Sequence, residues 1–92
     1  MHLTITQEHI DKANYEIGLY PHRSSIVCPI AQAMKDKFCA TVAAYCMRSL
    51  YWDSDGKEHS FCYSKNLTEQ VKNWDEKRYF VPGRYLLTPL VL

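Results

Sequence analysis

The alternation of apolar and polar residues predicts a strand and two helices in the first part of the chain. Residues 3–5 fit a short strand, and the Thr6 side chain can cap the helix that follows. Gly18 is expected to end that helix, and residues 19–25, which include a proline and two serines, to form a surface loop. Pro29 suits the first turn of a second helix, where its missing N–H would have no partner. Apolar residues at helical spacing define the helices: Ile10, Ala13 and Ile17, then Ile30, Ala33, Met34 and Phe38.

The middle of the chain predicts a β-hairpin. Between residues 40 and 52 the apolar period changes to two, which indicates one strand with apolar residues on both faces, as in a central strand. Residues 53–56 are expected to form a turn, because they contain an Asp-Gly pair that tolerates a positive φ angle. Residues 61–63 continue as an antiparallel return strand. The two predicted faces of the first strand are Val42, Ala44, Cys46, Leu50 and Trp52, against Ala43, Tyr45, Met47 and Tyr51.

The last part of the chain predicts a third helix and an extended segment. Asn66 or Thr68 is expected to cap the helix, in which Leu67, Val71 and Trp74 recur at helical spacing. Residues 79–87 read as extended around a Pro-Gly turn, and Pro89 is expected to confine that stretch to a sheet edge. The predicted fold class is therefore α+β: one domain over residues 1–92, with an antiparallel sheet of three to five strands and two or three packed helices.

Charge and composition exclude several function classes. Eleven Lys and Arg against ten Asp and Glu give a net charge of +1, so the chain is neither an acidic nucleic-acid mimic by bulk charge nor a basic tail. The signs instead alternate along the chain, which is typical of a mixed surface. No run of about 20 apolar residues is present for a membrane span. The first residues lack a basic head followed by an apolar run, so we expect a cytoplasmic protein.

The cysteines and histidines do not form a recognisable metal or catalytic motif. In a reducing compartment the four cysteines are expected to be free, buried thiols. The one close pair of potential ligands, His59 and Cys62, has a spacing that sends the two side chains to opposite faces of a strand. With three glycines in the chain, no phosphate-binding loop or nucleophile turn is recognisable. We therefore expect no metal, no cofactor, no small-molecule substrate and no enzymatic activity.

The aromatic content leaves two interpretations open. Tyr45, Met47, Tyr51 and Tyr63 can form an interface patch on the sheet face opposite the helices, or helices can cover this face as well. Aromatic residues beside a basic groove would instead favour binding of single-stranded nucleic acid, but the balanced charge weakens that interpretation.

Three segments in order resemble a family of small bacteriophage proteins. Residues 5–11 match its I-T-x-E-H-I-D start, and residues 28–33 match its C-P-[IV]-A-x-A helix. A β-hairpin follows, and then a late helix and strand that correspond to residues 67–75 and 81–85. The resemblance covers nearly the whole chain, and within this group the chain is most similar to the anti-CRISPR proteins of the type I-F system.

This resemblance implies a non-enzymatic inhibitor in the cytoplasm of the infected bacterial host. It would bind the type I-F Csy surveillance complex (Cascade) and block hybridisation of target DNA to the crRNA. The implied partners are the crRNA-bearing backbone subunits and the large subunit that handles the protospacer-adjacent motif. Direct contact with the crRNA, through its phosphates, is left open. The motif residues are cap and core positions, so they identify no interface.

The sign of each charge and the expected exposure of the side chain suggest which residues would contact such a partner. Acidic side chains would meet lysines of a positively charged channel, and basic side chains would meet guide-RNA phosphates or acidic protein patches. The alternative function is a nucleic-acid-binding accessory protein of the phage, and a small metal module or enzyme is a third hypothesis. The candidate contact residues are Asp53, Asp55 and Glu58 on the acidic side, and Arg23, Lys72, Arg78 and Arg84 on the basic side.

Overall fold

A computed structural model describes residues 1–90 as a five-stranded antiparallel sheet packed against helices. The strands run in the spatial order β1-β5-β4-β3-β2. The elements are β1 His2–Ile5, α1 Gln7–Leu19, a 3-10 turn Pro21–Arg23, α2 Ser24–Val27, α3 Pro29–Phe38, β2 Thr41–Ala44, β3 Arg48–Trp52, β4 Glu58–Tyr63, α4 Lys65–Lys77 and β5 Gly83–Pro89.

The core lies on one face of the sheet. Leu3 of β1 pairs with Tyr85 of β5, and Val42 of β2 pairs with Tyr51 of β3, so these side chains point to the same side. Buried residues of the helices, among them Ile10, Met34 and Trp74, belong to the same cluster. The predicted α+β class with an antiparallel sheet is confirmed.

Helix α1 begins where the sequence predicts and ends later. The Thr6 hydroxyl accepts a hydrogen bond from the His9 N–H, and His9 Nδ1 accepts one from the Thr6 N–H at 3.0 Å, which completes a capping box. Gly18 was expected to stop the helix and does not, because the helix continues to Leu19 and the Tyr20 N–H still bonds the Glu16 carbonyl.

The predicted loop over residues 19–25 is wrong. The chain instead forms the 3-10 turn and then α2. Two side chains of α3 hold α2 in place: Gln32 Nε2 donates to the Val27 carbonyl at 3.1 Å, and Lys35 Nζ donates to the Ile26 carbonyl. Gln32 also donates to Glu16 at 2.8 Å, so one buried amide links α1, α2 and α3.

Residues 40–52 form two strands, and the prediction of a single strand is wrong. β2 ends at Ala44 and β3 begins at Arg48, and the Tyr45 N–H donates to the Arg48 carbonyl at 2.8 Å across the turn. The predicted hairpin at residues 53–56 is confirmed between β3 and β4, with Gly56 at φ 79°.

Of the two interpretations of the aromatic residues, the one in which Tyr45, Met47, Tyr51 and Tyr63 form an interface patch is wrong. Tyr51 lies under α3, where its ring stacks on Phe38 at 4.1 Å between centroids. The Tyr63 hydroxyl is buried, and burial raises its pKa. It lies near the Ser49 hydroxyl without good hydrogen-bond geometry. Only Tyr45 and Met47 remain exposed, because both lie in the turn between β2 and β3.

Three smaller expectations also change. Ser64, not Asn66 or Thr68, caps α4 by accepting from the Leu67 N–H. Residues 79–82 precede the strand and are not part of it. β5 lies between β1 and β4, so the strand as a whole is not an edge strand. Pro89 is tolerated because β1 pairs only with residues 83–86, which leaves Pro89 paired with Phe61 of β4 on one side and with no strand of residues 1–90 on the other.

The cysteines are free, but they are not all buried. Cys39 and Cys46 are exposed, and Cys28 and Cys62 are half-buried. Cys39 follows α3 in the left-handed conformation, and Cys46 lies in the β2–β3 turn, which places both outside the core.

Candidate protein-binding cleft

A cleft of about 160 Å³ opens between α2, the first turn of α3, the β2–β3 turn, α4 and residue 80. The short α2 positions one wall because it ends at Cys28, and Pro29 starts α3 immediately afterwards. Apolar groups dominate the lining, which includes Pro29, Ile30, Ala44, Val71, Trp74 and Phe80. We refer to this space as the Asp75 cleft, after the carboxylate that α4 contributes to its lining.

The polar groups of the Asp75 cleft favour binding over nucleophilic chemistry. The pKa of the Cys28 thiol is raised to about 11, chiefly by burial and to a smaller extent by the Asp75 carboxylate. The thiol is therefore protonated at neutral pH, which is the unreactive form. Asp75 itself is exposed and makes no hydrogen bond or salt bridge within residues 1–90.

The rim of the cleft carries exposed side chains of the types that protein interfaces favour. Tyr45 lines the cleft and is 50% exposed, and Met47, two residues on in the same turn, is 75% exposed. Arg23 precedes the cleft-lining Ser24 in sequence, and its guanidinium lies 5.3 Å from the centre of the exposed Tyr20 ring. Tyr, Met and Arg are enriched at protein interfaces relative to other surfaces.

The structure places the three acidic candidates at the β3–β4 hairpin. Asp53 is committed to the turn, because its carboxylate accepts from the Asp55 and Lys57 amides and bonds His59 Nε2 at 2.8 Å. The hydrogen bond from His59 is the main cause that lowers the Asp53 pKa. Asp55 and Glu58 are exposed, so they are the two acidic candidates that can meet a partner without breaking this network.

The basic candidates are exposed but do not lie together on one surface element. Arg78 ends α4, donates to the Trp74 carbonyl at 3.3 Å and lies 5.4 Å from the Trp74 ring centre. Arg84 is on β5 and pairs with Thr4, which places it on the sheet face away from the helices. Lys72 lies on the exposed side of α4, and Arg23 is on the rim described above.

The aromatic rings under α3 offer no open stacking platform. Phe38, Tyr51 and His59 form a continuous stack, with Tyr51 and His59 centroids 4.6 Å apart. Faces that contact each other are not free for bases, and stacking on free faces is the main sequence-independent contact to single strands. Lys35, in the same region, uses its ammonium group to hold the Ile26 carbonyl.

Within residues 1–90 no three His, Cys, Asp or Glu side chains cluster closely enough to hold a metal ion. The helices described over these residues are too short and too polar to cross a membrane.

Comparison with known proteins gives no relative. Scans against protein-family models, curated protein sequences and solved structures found no significant match to this chain.

Sequence reasoning missed the Asp75 cleft. Its lining comes from four segments distant along the chain, and no single motif marks it. The Cys28-Pro29 pair indicated one wall of the cleft in part. Proline favours the first turn of a helix, so any helix before Cys28 has to end there, as α2 does.

Proposed function

We propose that this protein is a phage-encoded inhibitor that binds the type I-F CRISPR surveillance complex and prevents target DNA from pairing with the crRNA. It acts in the cytoplasm of the infected bacterial host as a binding protein. The ordered segments resemble a family of small bacteriophage proteins, and within that family the similarity to type I-F anti-CRISPR proteins supports the identity of the partner. The surface around the Asp75 cleft, with its exposed Tyr45 and Met47, is the observation that carries a binding role.

The surface is large enough for this role. A stable protein complex buries about 800 Å² on each partner, which is about one-seventh of the 5781 Å² that this chain exposes. With a net charge of +1, the protein does not imitate a DNA duplex by bulk charge. Inhibition would rest on shape-matched burial, with Asp55 and Glu58 facing lysines of the positively charged channel.

The direct test is co-elution of the purified protein with the purified type I-F surveillance complex in size-exclusion chromatography. We expect a stable complex that no longer shifts a target duplex in a native gel. Separate elution, or unchanged duplex binding, would refute the proposal.

Charge reversal then locates the electrostatic contacts. We expect Asp55→Lys and Glu58→Lys to slow association, most strongly at low salt, because rim charges act mainly on the association rate. Lys12→Glu is the matched control, since this exposed residue of α1 is outside the candidate set. Equal association rates for all three variants would remove the acidic hairpin from the interface.

The same purified protein can be used to test the alternative function, a phage accessory protein that binds free nucleic acid. It requires retention of a labelled single strand, with an affinity that falls steeply as salt rises. The occupied ring faces of the stack under α3 disfavour it.

A further inference from the structure

The Asp75 cleft combines apolar walls with one unpaired negative charge. Two cations of the surrounding helices are engaged elsewhere: Lys35 holds the Ile26 carbonyl, and Arg78 donates to the Trp74 carbonyl and lies over the Trp74 ring. Lys72, three residues before Asp75 on α4, is exposed and makes no ion pair with it. Asp75 has no ion-pair partner within residues 1–90. The site therefore offers a carboxylate to any cation that a ligand brings with it.

The size of the cleft limits the apolar part of a ligand to about one side chain. Its volume is about 160 Å³, and an apolar cavity of about 150 Å³ is known to hold one benzene ring. A phenylalanine ring or a leucine or methionine side chain meets this limit. A larger ring system or a continuous helix face does not fit inside.

The rim argues for a protein ligand over a free small molecule. Tyr45 and Met47 extend the apolar surface of the cleft along the β2–β3 turn, where half of Tyr45 and three-quarters of Met47 are exposed. A single-ring ligand seated in the cleft would contact Tyr45 but leave Met47 exposed, because Met47 is not part of the lining. A folded partner would bury both side chains and the cleft together, as in a pocket that anchors an interface.

We propose that the Asp75 cleft receives one apolar side chain of a partner protein, and that a lysine or arginine adjacent to that side chain pairs with Asp75. The partner's identity rests on the proposed function, under which it is a subunit of the surveillance complex lining its positively charged channel. The chemistry of the anchor rests on the cleft alone.

The first experiment tests the chemistry with two capped dipeptides, acetyl-Phe-Lys-amide and acetyl-Phe-Glu-amide. Their titration is followed through the Trp74 indole and Ala44 amide signals in nitrogen-15 NMR spectra. We expect the lysine peptide to shift both signals with millimolar affinity, and the glutamate peptide to bind about 2- to 5-fold more weakly, the range of an exposed ion pair.

Matched variants separate the charge from the cleft. Asp75→Asn should remove the preference for the lysine peptide, and Glu76→Gln, the neighbouring exposed carboxylate outside the cleft lining, should keep it. Cys46→Phe places a ring at the mouth of the cleft from an exposed turn position and should abolish both titrations. Absence of shifts at about 20 mM peptide, well above a millimolar dissociation constant, or equal affinities in the wild type and Asp75→Asn, would overturn the inference.

The second experiment uses the surveillance complex and keeps the two proposals distinguishable. If the wild type binds the complex and Asp75→Lys binds at least 5-fold more weakly while Glu76→Lys does not, the cleft is the anchor site. If Asp75→Lys and Cys46→Phe bind as tightly as the wild type, the anchor inference fails and the proposed function stands. If the wild type does not bind, the proposed function fails, and the dipeptide titration still decides whether the cleft takes an apolar side chain beside a cation.

Discussion

The residue after α3 provides a sharp test of how the chain turns from the helices into the sheet. Cys39 has φ 50° and ψ 44°, in the left-handed region. A residue other than glycine costs about 1–3 kcal/mol there, and glycine adopts the region freely. The Cys39 side chain is exposed, and its thiol makes a weak hydrogen bond of 3.8 Å to the Asp36 carbonyl. Cys39→Gly therefore removes backbone strain and little packing.

The gain is partly offset in the unfolded state. Glycine loses more conformational entropy on folding, at a cost of about 0.5–1 kcal/mol. We expect Cys39→Gly to raise the free energy of unfolding by about 0.5–2 kcal/mol. In a domain of this size 1 kcal/mol corresponds to a rise of about 4–8 °C in the melting temperature.

The assay is thermal unfolding followed by circular dichroism under reducing conditions, with Cys39→Ala as the control for loss of the thiol. Gly56→Ala should shift the melting temperature in the opposite direction, because Gly56 has φ 79°. Arg78 is also left-handed, but Arg78→Gly should gain less because it loses the hydrogen bond to the Trp74 carbonyl. A Cys39→Gly protein that melts at or below the temperature of Cys39→Ala would refute the reasoning.

Three further predictions concern the cap, the hairpin and the cleft thiol. Thr6→Ala should lower the free energy of unfolding by about 1 kcal/mol in urea titrations while Thr6→Ser keeps most of it, since the hydroxyl caps α1; equal losses would contradict this. The pKa of Asp53 is lower in the folded protein than its ordinary value of 3.8, so the ionised carboxylate stabilises the fold above that pH, and the stabilisation is lost as the pH falls through the pKa of the folded state. Urea titrations should therefore show a smaller loss of stability for Asp53→Asn than for the wild type between about pH 6 and pH 2. Equal losses would count against the hydrogen bond between His59 and Asp53. With a pKa of about 11, Cys28 should be alkylated last when maleimide labelling is followed by mass spectrometry, and labelling as fast as that of Cys46 would show an open thiol.

Local signals predicted the elements that local chemistry controls. Thr6 and Pro29 start their helices as expected, and the Asp-Gly pair forms the predicted hairpin turn, because each acts through neighbouring backbone groups. The turn between β2 and β3 escaped prediction since Tyr45, Cys46 and Met47 carry no glycine or proline, and the apolar alternation continues across it.

Partner strands and contact surfaces depend on distant residues, so the sequence pattern could not assign them. Pro89 predicts an edge strand, but the pairing of β1 with residues 83–86 makes β5 internal over that part and leaves Pro89 beyond the end of β1. The acidic candidates follow from charge and expected exposure alone, whereas the structure shows Asp53 held by His59, six residues away. Asp55 and Glu58 are exposed, as expected for charged residues in or beside a hairpin turn.

The wall of the Asp75 cleft links stability to binding. Helix α2 has four residues, its N-cap makes no side-chain hydrogen bond, and it lies in a segment where an isolated helix would not persist. Gln32 and Lys35 of α3 hold its last carbonyls from behind, outside the cleft lining. Because one buried amide also bonds Glu16, movement of α1 against α3 would reach the cleft wall through Gln32. If the cleft binds the proposed anchor, its affinity should depend on hydrogen bonds that the ligand does not touch. A substitution such as Gln32→Leu, which leaves the cleft lining unchanged, should then weaken binding.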